Sequence, residues 1–443
     1  MVRAHEYFKT QTQSWLDAQE AREIENEKIA DAIGQAIRLH LELVVIDLGD
    51  EDPHLIFETM NARGTPLLQS DMVKNNILHE ANRRTEFFEG GHVRKLELWN
   101  FDEDSEGYWA REIGRGFNRR PRIDVLLNHW LTFQSRRITR HYREFETFRK
   151  YSKSERDRGL SILDVARDLR DVAKLYREID ECTIEEISPF LRRCRVMNLG
   201  AVTPLLFWLL TNEALKGDEP VLSKCITTLD SFFVRRAVCG FHTRVYAKIS
   251  ERLMGILDES CEPADQVLID YLGKQDALGE IWPTDEEFEK RFLEAPLYYW
   301  IAQGRLRMVL LAIEEQLHTK HSEVGNVLDA GSLQIEHIMP VSWHAHWPLP
   351  ESESPESLQE RRESLLHTIG NLTLVKASFN SVLSNREWTV KKNAFEEHSV
   401  LFLNRELVSC DSWDEDRIRA RSARLFEQAR SIWPRPSSVR ESN

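Results

Sequence analysis

Residues Gln334-Ile335-Glu336-His337-Ile338-Met339-Pro340 constrain what this chain can fold into more than any other stretch. An apolar strand pattern ends there in an acid and an imidazole, and proline stops it because proline cannot donate to a sheet ladder. Further along, Ile369-Gly370-Asn371-Leu372-Thr373-Leu374-Val375-Lys376-Ala377-Ser378-Phe379-Asn380 reads as a second short strand, Leu372 to Val375, running into the first turn of a helix that carries Asn380. Strand, loop, strand and helix bring Glu336, His337 and Asn380 to one point.

The chemistry that needs this trio is phosphodiester hydrolysis around one hard cation. Glu336 and Asn380 supply oxygen ligands, which suit Mg²⁺ or Mn²⁺ better than Zn²⁺, with water in the remaining positions. A neutral His337 takes the proton from the attacking water, since an unperturbed imidazole titrates near working pH. A Glu-His pair at a strand end is by itself usually a surface pair. The downstream Asn residues in register are what lift this one out of that class.

Glu336-His337-Ile338 with Pro340, a loop, Gly370-Asn371-Leu372-Thr373-Leu374 and a second Asn at 380 resemble an HNH (ββα-metal) nuclease. With Ser381-Val382-Leu383-Ser384-Asn385, Lys391 and a distal Trp413, the pattern resembles the C-terminal nuclease domain of GmrSD-type restriction endonucleases, over roughly Tyr298 to Trp433. The resemblance implies that Glu336 is the metal-binding acid and His337 the general base. It implies that Asn371, counted with His337 in the catalytic set, is the middle Asn that braces the loop, and that Asn380 is the second metal ligand. Glu336 stands where many HNH enzymes carry Asp. Lys376, Arg386, Lys391 and Lys392 outnumber the acids nearby, so a basic face for DNA is expected beside the site.

The same resemblance extends to the start of the chain. Ile56 to Asn76, with Asn61, Arg63, Gly64, Pro66, Asp71 and Lys74, looks like the segment that closes a ParB-like NTPase domain in that family. The family's preceding Asp-Gly-Gln-Gln-Arg motif is absent, and no Gly-x-x-x-x-Gly-Lys-Ser/Thr loop replaces it. Nucleotide-binding residues therefore stay unassigned, with turn and cap roles weighed above leftover site roles for Asn61, Arg63, Asp71 and Lys74. Before this segment the sequence reads as helix from Glu6 to His40 and strand from Leu41 to Leu48.

From about Glu80 to Glu280 the pattern is nearly all helical. Ile162, Val165, Ala166, Leu169, Val172, Tyr176 and Ile179 make one apolar stripe, and Leu205 to Leu210 reads as a helix buried on most sides. Arginines cluster at 111, 115, 119, 120 and 122 and at 136, 137, 140 and 143. They fit phosphate tracking and a solvated helical surface about equally. Pro283 with Asp285-Glu286-Glu287 marks a boundary, a helix from Arg305 to His318 precedes the strands, and the Ser-, Glu- and Pro-rich stretch after Pro348 reads as an exposed loop as far as Glu360. His344, His346 and His367, in or beside that loop, read as loop packing.

The expected fold is mainly α with a small α+β part: helical bundle regions followed by a ββα-metal (HNH, His-Me finger) nuclease domain. The expected domains are residues 1–80 as the remnant of a ParB-like NTPase domain, 81–283 as a helical middle domain and 284–443 as the nuclease. A formal charge of −14 over 443 residues excludes a protein that coats DNA with its whole surface and confines DNA contact to a local basic face. No secretory leader pattern is seen, the longest apolar run is too short to span a bilayer, and the six cysteines form no Cys-x-x-Cys pair, so a cytoplasmic protein without a zinc knuckle is expected. The expected partner is double-stranded DNA, with no membrane. A partner subunit or homo-oligomer is left open. The expected function is Mg²⁺- or Mn²⁺-dependent DNA cleavage in restriction of foreign or modified phage DNA. The alternative is a catalytically silent DNA-binding or assembly subunit.

Overall fold

The computed structural model describes residues 2–20, 26–40, 68–83, 99–101, 107–114, 116, 119–276, 279–321, 332–349, 355–378, 383 and 385–436. They divide into two compact units, Met1–Leu67 and Leu68–Asn443. In the first, α1 (Val2–Glu20) and α2 (Asn26–His40) touch each other. The strand expected over Leu41 to Leu48, along with Asn61 and Arg63, lies outside the described residues, as does Asn380.

The second unit is mainly helical. It opens with α3 (Gln69–Arg83), so that Ser70 and Asp71 sit in its first turn, where Asp71 was expected as the cap, and Lys74 lies further along. The Ser70 amide donates to Asp124 Oδ1 at 3.0 Å, so a carboxylate from another helix satisfies one of the orphan N–H groups of a helix start. Within the basic stretch, β1 (Glu112–Ile113) and β2 (Arg120–Pro121) pair antiparallel, a small departure from the expected all-helical middle. There Arg119 pairs with Glu112 at 2.8 Å, Arg120 with the buried Glu144 at 2.8 Å and Arg122 with Asp180 at 3.3 Å. In the second cluster Arg136 pairs with Asp258 at 2.6 Å and Arg143 with Glu146 at 3.4 Å. These guanidinium groups already answer carboxylates of the same chain.

Helices then follow one another: α4 (Arg122–Ser135), α5 (Glu144–Asp157), α6 (Ile162–Glu181), α7 (Ser188–Met197), α8 (Thr203–Thr211), α9 (Glu219–Val238), α10 (Tyr246–Glu259) and α11 (Ala264–Gly273). The α6 stripe is buried from Ile162 to Tyr176, with Ile179 packed against the core at its edge. Each buried Ile, Val or Leu of the stripe contributes about 1.5–3 kcal/mol relative to exposure. Leu205 to Leu209 of α8 are all buried, as the unbroken apolar run requires.

α12 (Asp285–Glu294) begins at a capping box in which Thr284 Oγ1 accepts from the Glu287 amide at 3.1 Å and Glu287 Oε2 accepts from the Thr284 amide at 2.9 Å. α13 (Gln303–His321) leads to β3 (Leu333–His337), which pairs antiparallel with β4 (Leu372–Lys376) so that Glu336 faces Thr373 and His337 faces Leu372. Between the strands, the stretch expected as an open loop contains α14 (Pro355–Leu365). Pro355 at its first position and Glu356 in its first turn are helix-start signals, because proline's fixed φ suits that position and the carboxylate meets the positive end of the helix dipole. α15 (Trp388–His398), α16 (Phe402–Val408) and α17 (Glu415–Ile432) complete the region.

The β3–β4 ribbon lies between two apolar clusters, which is why β4 is buried from Leu372 to Val375. Leu333, Leu372 and Leu374 join the large helical core, and Val375 joins a second cluster that includes Ile338, Met339, Trp343, Trp388, Phe395 and Trp413. Helix α17 presses on the turn Ile369–Asn371 that introduces β4. A Cβ at Gly370 would run into the Ile418 carbonyl and the Ser422 hydroxyl, so only glycine permits this approach. Gly370→Ala therefore destabilises the chain by about 3 kcal/mol, at the upper end of overpacking costs because backbone rather than a flexible side chain must yield. Urea unfolding at a parental midpoint would show that the contact relaxes.

The far end of α17 is fixed to the middle helices. Trp433, fully buried, donates through Nε1 to Asp230 Oδ2 at 3.1 Å, and its carbonyl accepts from Arg235 Nε at 2.8 Å. Asp230 also holds Arg193 in a two-pronged pair at 3.0 and 2.7 Å. No helix among the described residues is long and apolar enough to cross a membrane.

Candidate active site

The pairing of β3 with β4 fixes the site. Alternation along β3 sends Glu336 and His337 to opposite faces of the strand end, so these neighbours in sequence meet different surroundings. On one face, Glu336 Oε1 accepts from Lys391 Nζ at 2.9 Å, and the same ammonium donates to the His337 carbonyl at 2.8 Å. Burial raises the Glu336 carboxyl above its ordinary range while Lys391 pulls it back. Burial likewise lowers the Lys391 ammonium, opposed by Glu336.

On the other face, His337 is 9% exposed and lies against the Tyr298 ring, with centroids 4.5 Å apart. Burial, then His367, then Lys391 lower its pKa to about 3, so the imidazole stands neutral with one of its two ring nitrogens unprotonated. The imidazole expected to titrate near working pH is instead buried and held well below that range. Its Nε2 lies 3.1 Å from Nδ1 of His367, whose own pKa burial lowers.

Asn371 is fully buried and uses all its hydrogen-bonding capacity on the chain itself. Its Oδ1 accepts from the Met339 amide at 2.8 Å and from Trp413 Nε1 at 3.2 Å, while its Nδ2 donates to the Met339 and Leu366 carbonyls at 2.9 Å each. The side chain ties the segment after β3 to the turn before β4. Arg421, also fully buried, supports the same turn from α17 by donating to the Gly370 carbonyl at 2.9 Å and the Leu372 carbonyl at 2.7 Å, with Glu406 as counter-ion at 2.6 Å.

The four residues expected on a basic face separate. Lys376, at the end of β4, and Arg386, before α15, are exposed. Lys392 is partly buried with its ammonium 3.6 Å from Asp411. Lys391 is wholly buried on Glu336, so it cannot meet a phosphate from that position. His344 stacks on Trp343 at 3.9 Å and is exposed, as is His346, whereas His367 stands at the site. Sequence reasoning set His367 among the loop histidines. The signal that finds it is register: with His337 opposite Leu372, residues just before the Ile369–Asn371 turn must fall at the same strand end.

Among the described residues no cluster of three or more His, Cys, Asp or Glu side chains is placed to hold a metal ion.

No curated protein matches this chain. Residues 282–428 match the family model for GmrSD restriction endonucleases, C-terminal domain. That span runs from the capping box of α12 through both strands into α17, and over it the chain is similar to the C-terminal domain of GmrSD restriction endonucleases.

Proposed function

We propose that the C-terminal region is an HNH-type (ββα-metal) endonuclease that cleaves duplex DNA with Mg²⁺ or Mn²⁺, in restriction of foreign or modified phage DNA. The observation that carries this reading is the match of residues 282–428 to GmrSD restriction endonuclease C-terminal domains, a span that holds the Glu336-His337 pair at the end of β3. Glu336, with Asn380 as the second oxygen donor, would hold the cation, which when bound supplies positive charge to the scissile phosphate and the leaving 3′ oxygen. His337 takes the proton from the attacking water. Asn371 keeps the segments around the two strands at fixed spacing, and exposed Lys376 and Arg386 bind backbone phosphates, which makes affinity fall with salt.

A competing reading, a catalytically silent DNA-binding or assembly subunit, draws on one observation. Lys391 already neutralises the Glu336 carboxylate, and an ammonium at 2.9 Å opposes a second cation there. The deciding experiment incubates the full chain with plain and base-modified plasmid in Mn²⁺, Mg²⁺ or EDTA. Nicking or linearisation that needs the divalent ion is expected. Salt-sensitive DNA binding without cleavage in any ion would move the assignment to the silent subunit.

A further inference from the structure

We propose that His367 is the positioning residue for the His337 base, accepting a hydrogen bond from His337 Nε2 and leaving the His337 Nδ1 lone pair for water. The catalytic part of this inference rests on the nuclease reading above.

The two nitrogens, 3.1 Å apart, share one proton between neutral rings, so only two arrangements exist. In the first, His337 donates through Nε2 and both rings carry their proton on Nε2. In the second, His367 donates through Nδ1 and both rings carry it on Nδ1. An unconstrained neutral histidine prefers the Nε2–H tautomer, and the first arrangement leaves both rings in it. The first is therefore favoured twice over, and it bares Nδ1 of His337.

His367 is itself well held. Its carbonyl accepts from the Tyr298 amide at 3.2 Å, and its ring packs against Tyr299 at 4.5 Å and stands nearly perpendicular to His337, at 88°. A histidine in a catalytic or metal site is commonly oriented by a carboxylate or a backbone carbonyl at its second nitrogen. An imidazole in that place fixes the tautomer and the ring plane without adding negative charge. That difference matters where the substrate is a polyanion, since a carboxylate against the base would repel the phosphates it must approach.

The test uses the full chain labelled with ¹⁵N-histidine, with the His337 resonances assigned by their loss in His337→Gln. The parent should show His337 protonated at Nε2 and bare at Nδ1. His367→Asn keeps an acceptor oxygen close to the former Nδ1, whereas His367→Ala removes it. Loss of such an orienting partner costs about 10–100-fold in activity. His367→Ala should accordingly lose plasmid cleavage in Mn²⁺ by that factor and show mixed His337 tautomers, and His367→Asn should recover most of the rate and the single tautomer. His337 protonated at Nδ1 in the parent overturns the proposal, as do Ala and Asn variants equal in both readouts. Absence of cleavage by the parent would instead remove the nuclease reading, and the tautomer measurement would still decide the hydrogen bond.

Discussion

Asn371→Ala lowers the stability of the chain by roughly 3 kcal/mol or more, because each buried donor or acceptor left without a partner costs about 1–3 kcal/mol. The substitution removes the partner of the Met339 amide, the Met339 and Leu366 carbonyls and the Trp413 indole, all bonded to the buried Asn371 side chain. These losses share one turn and do not add in full. The measurement is urea or thermal unfolding, read together with the fluorescence of Trp413 and its stacked neighbour Trp388, whose rings lie 5.5 Å apart. A melting point within about 1 °C of the parent, roughly the effect of 1 kcal/mol in a chain of this size, would mean that the turn holds without its amide. The buried position also decides how Asn371 influences catalysis: any fall in rate comes through the shape of the strand end and should track the fall in stability.

His337→Ala reduces DNA cleavage by about 10²–10⁴-fold, the contribution of a positioned general base. DNA affinity and its salt dependence should stay close to parental, since the imidazole is enclosed by Tyr298 and His367 rather than presented to phosphate. Because the ring is buried, the alanine variant also leaves a cavity, and its melting point has to be measured beside its rate. His337→Gln fills most of that space without a basic nitrogen and separates the two effects: it should regain stability while the rate remains low. Near-parental turnover by either variant would place the base elsewhere.

The parts of the fold that were legible in the sequence are those set by local periodicity. The α6 stripe, the buried α8 and the two strands follow from the spacing of apolar residues within one element, and proline and glycine punctuate them. Burial of a polar residue by a distant partner leaves no such mark. Lys391 lies on a helix among other basic residues and reads as part of an exposed face, yet its environment is set by Glu336, 55 positions earlier, on a strand that packs against that helix. His367 is hidden for the same reason, with its partner 30 positions away across the hairpin. Helix α14 was masked by composition: serine, glutamate and proline suggest a loop when counted, whereas their order, with proline first and glutamate next, describes a helix start.

Helix α17 is a strut. Its 18 residues span about 27 Å at 1.5 Å per residue. One end is seated through Trp433 on Asp230 and Arg235 of the middle helices, and the other, through Ile418 and Arg421, bears on the Gly370 turn beside the strand end. Neither bearing has slack, since one is a buried indole in a charged clasp and the other a backbone contact too close for a methyl group. Displacement of the Asp230 seat is therefore delivered along the rod to the hairpin instead of being absorbed between them. The matched family span stops at residue 428, short of Trp433, so the mechanical unit that holds the strand end reaches beyond the stretch by which the domain is recognised.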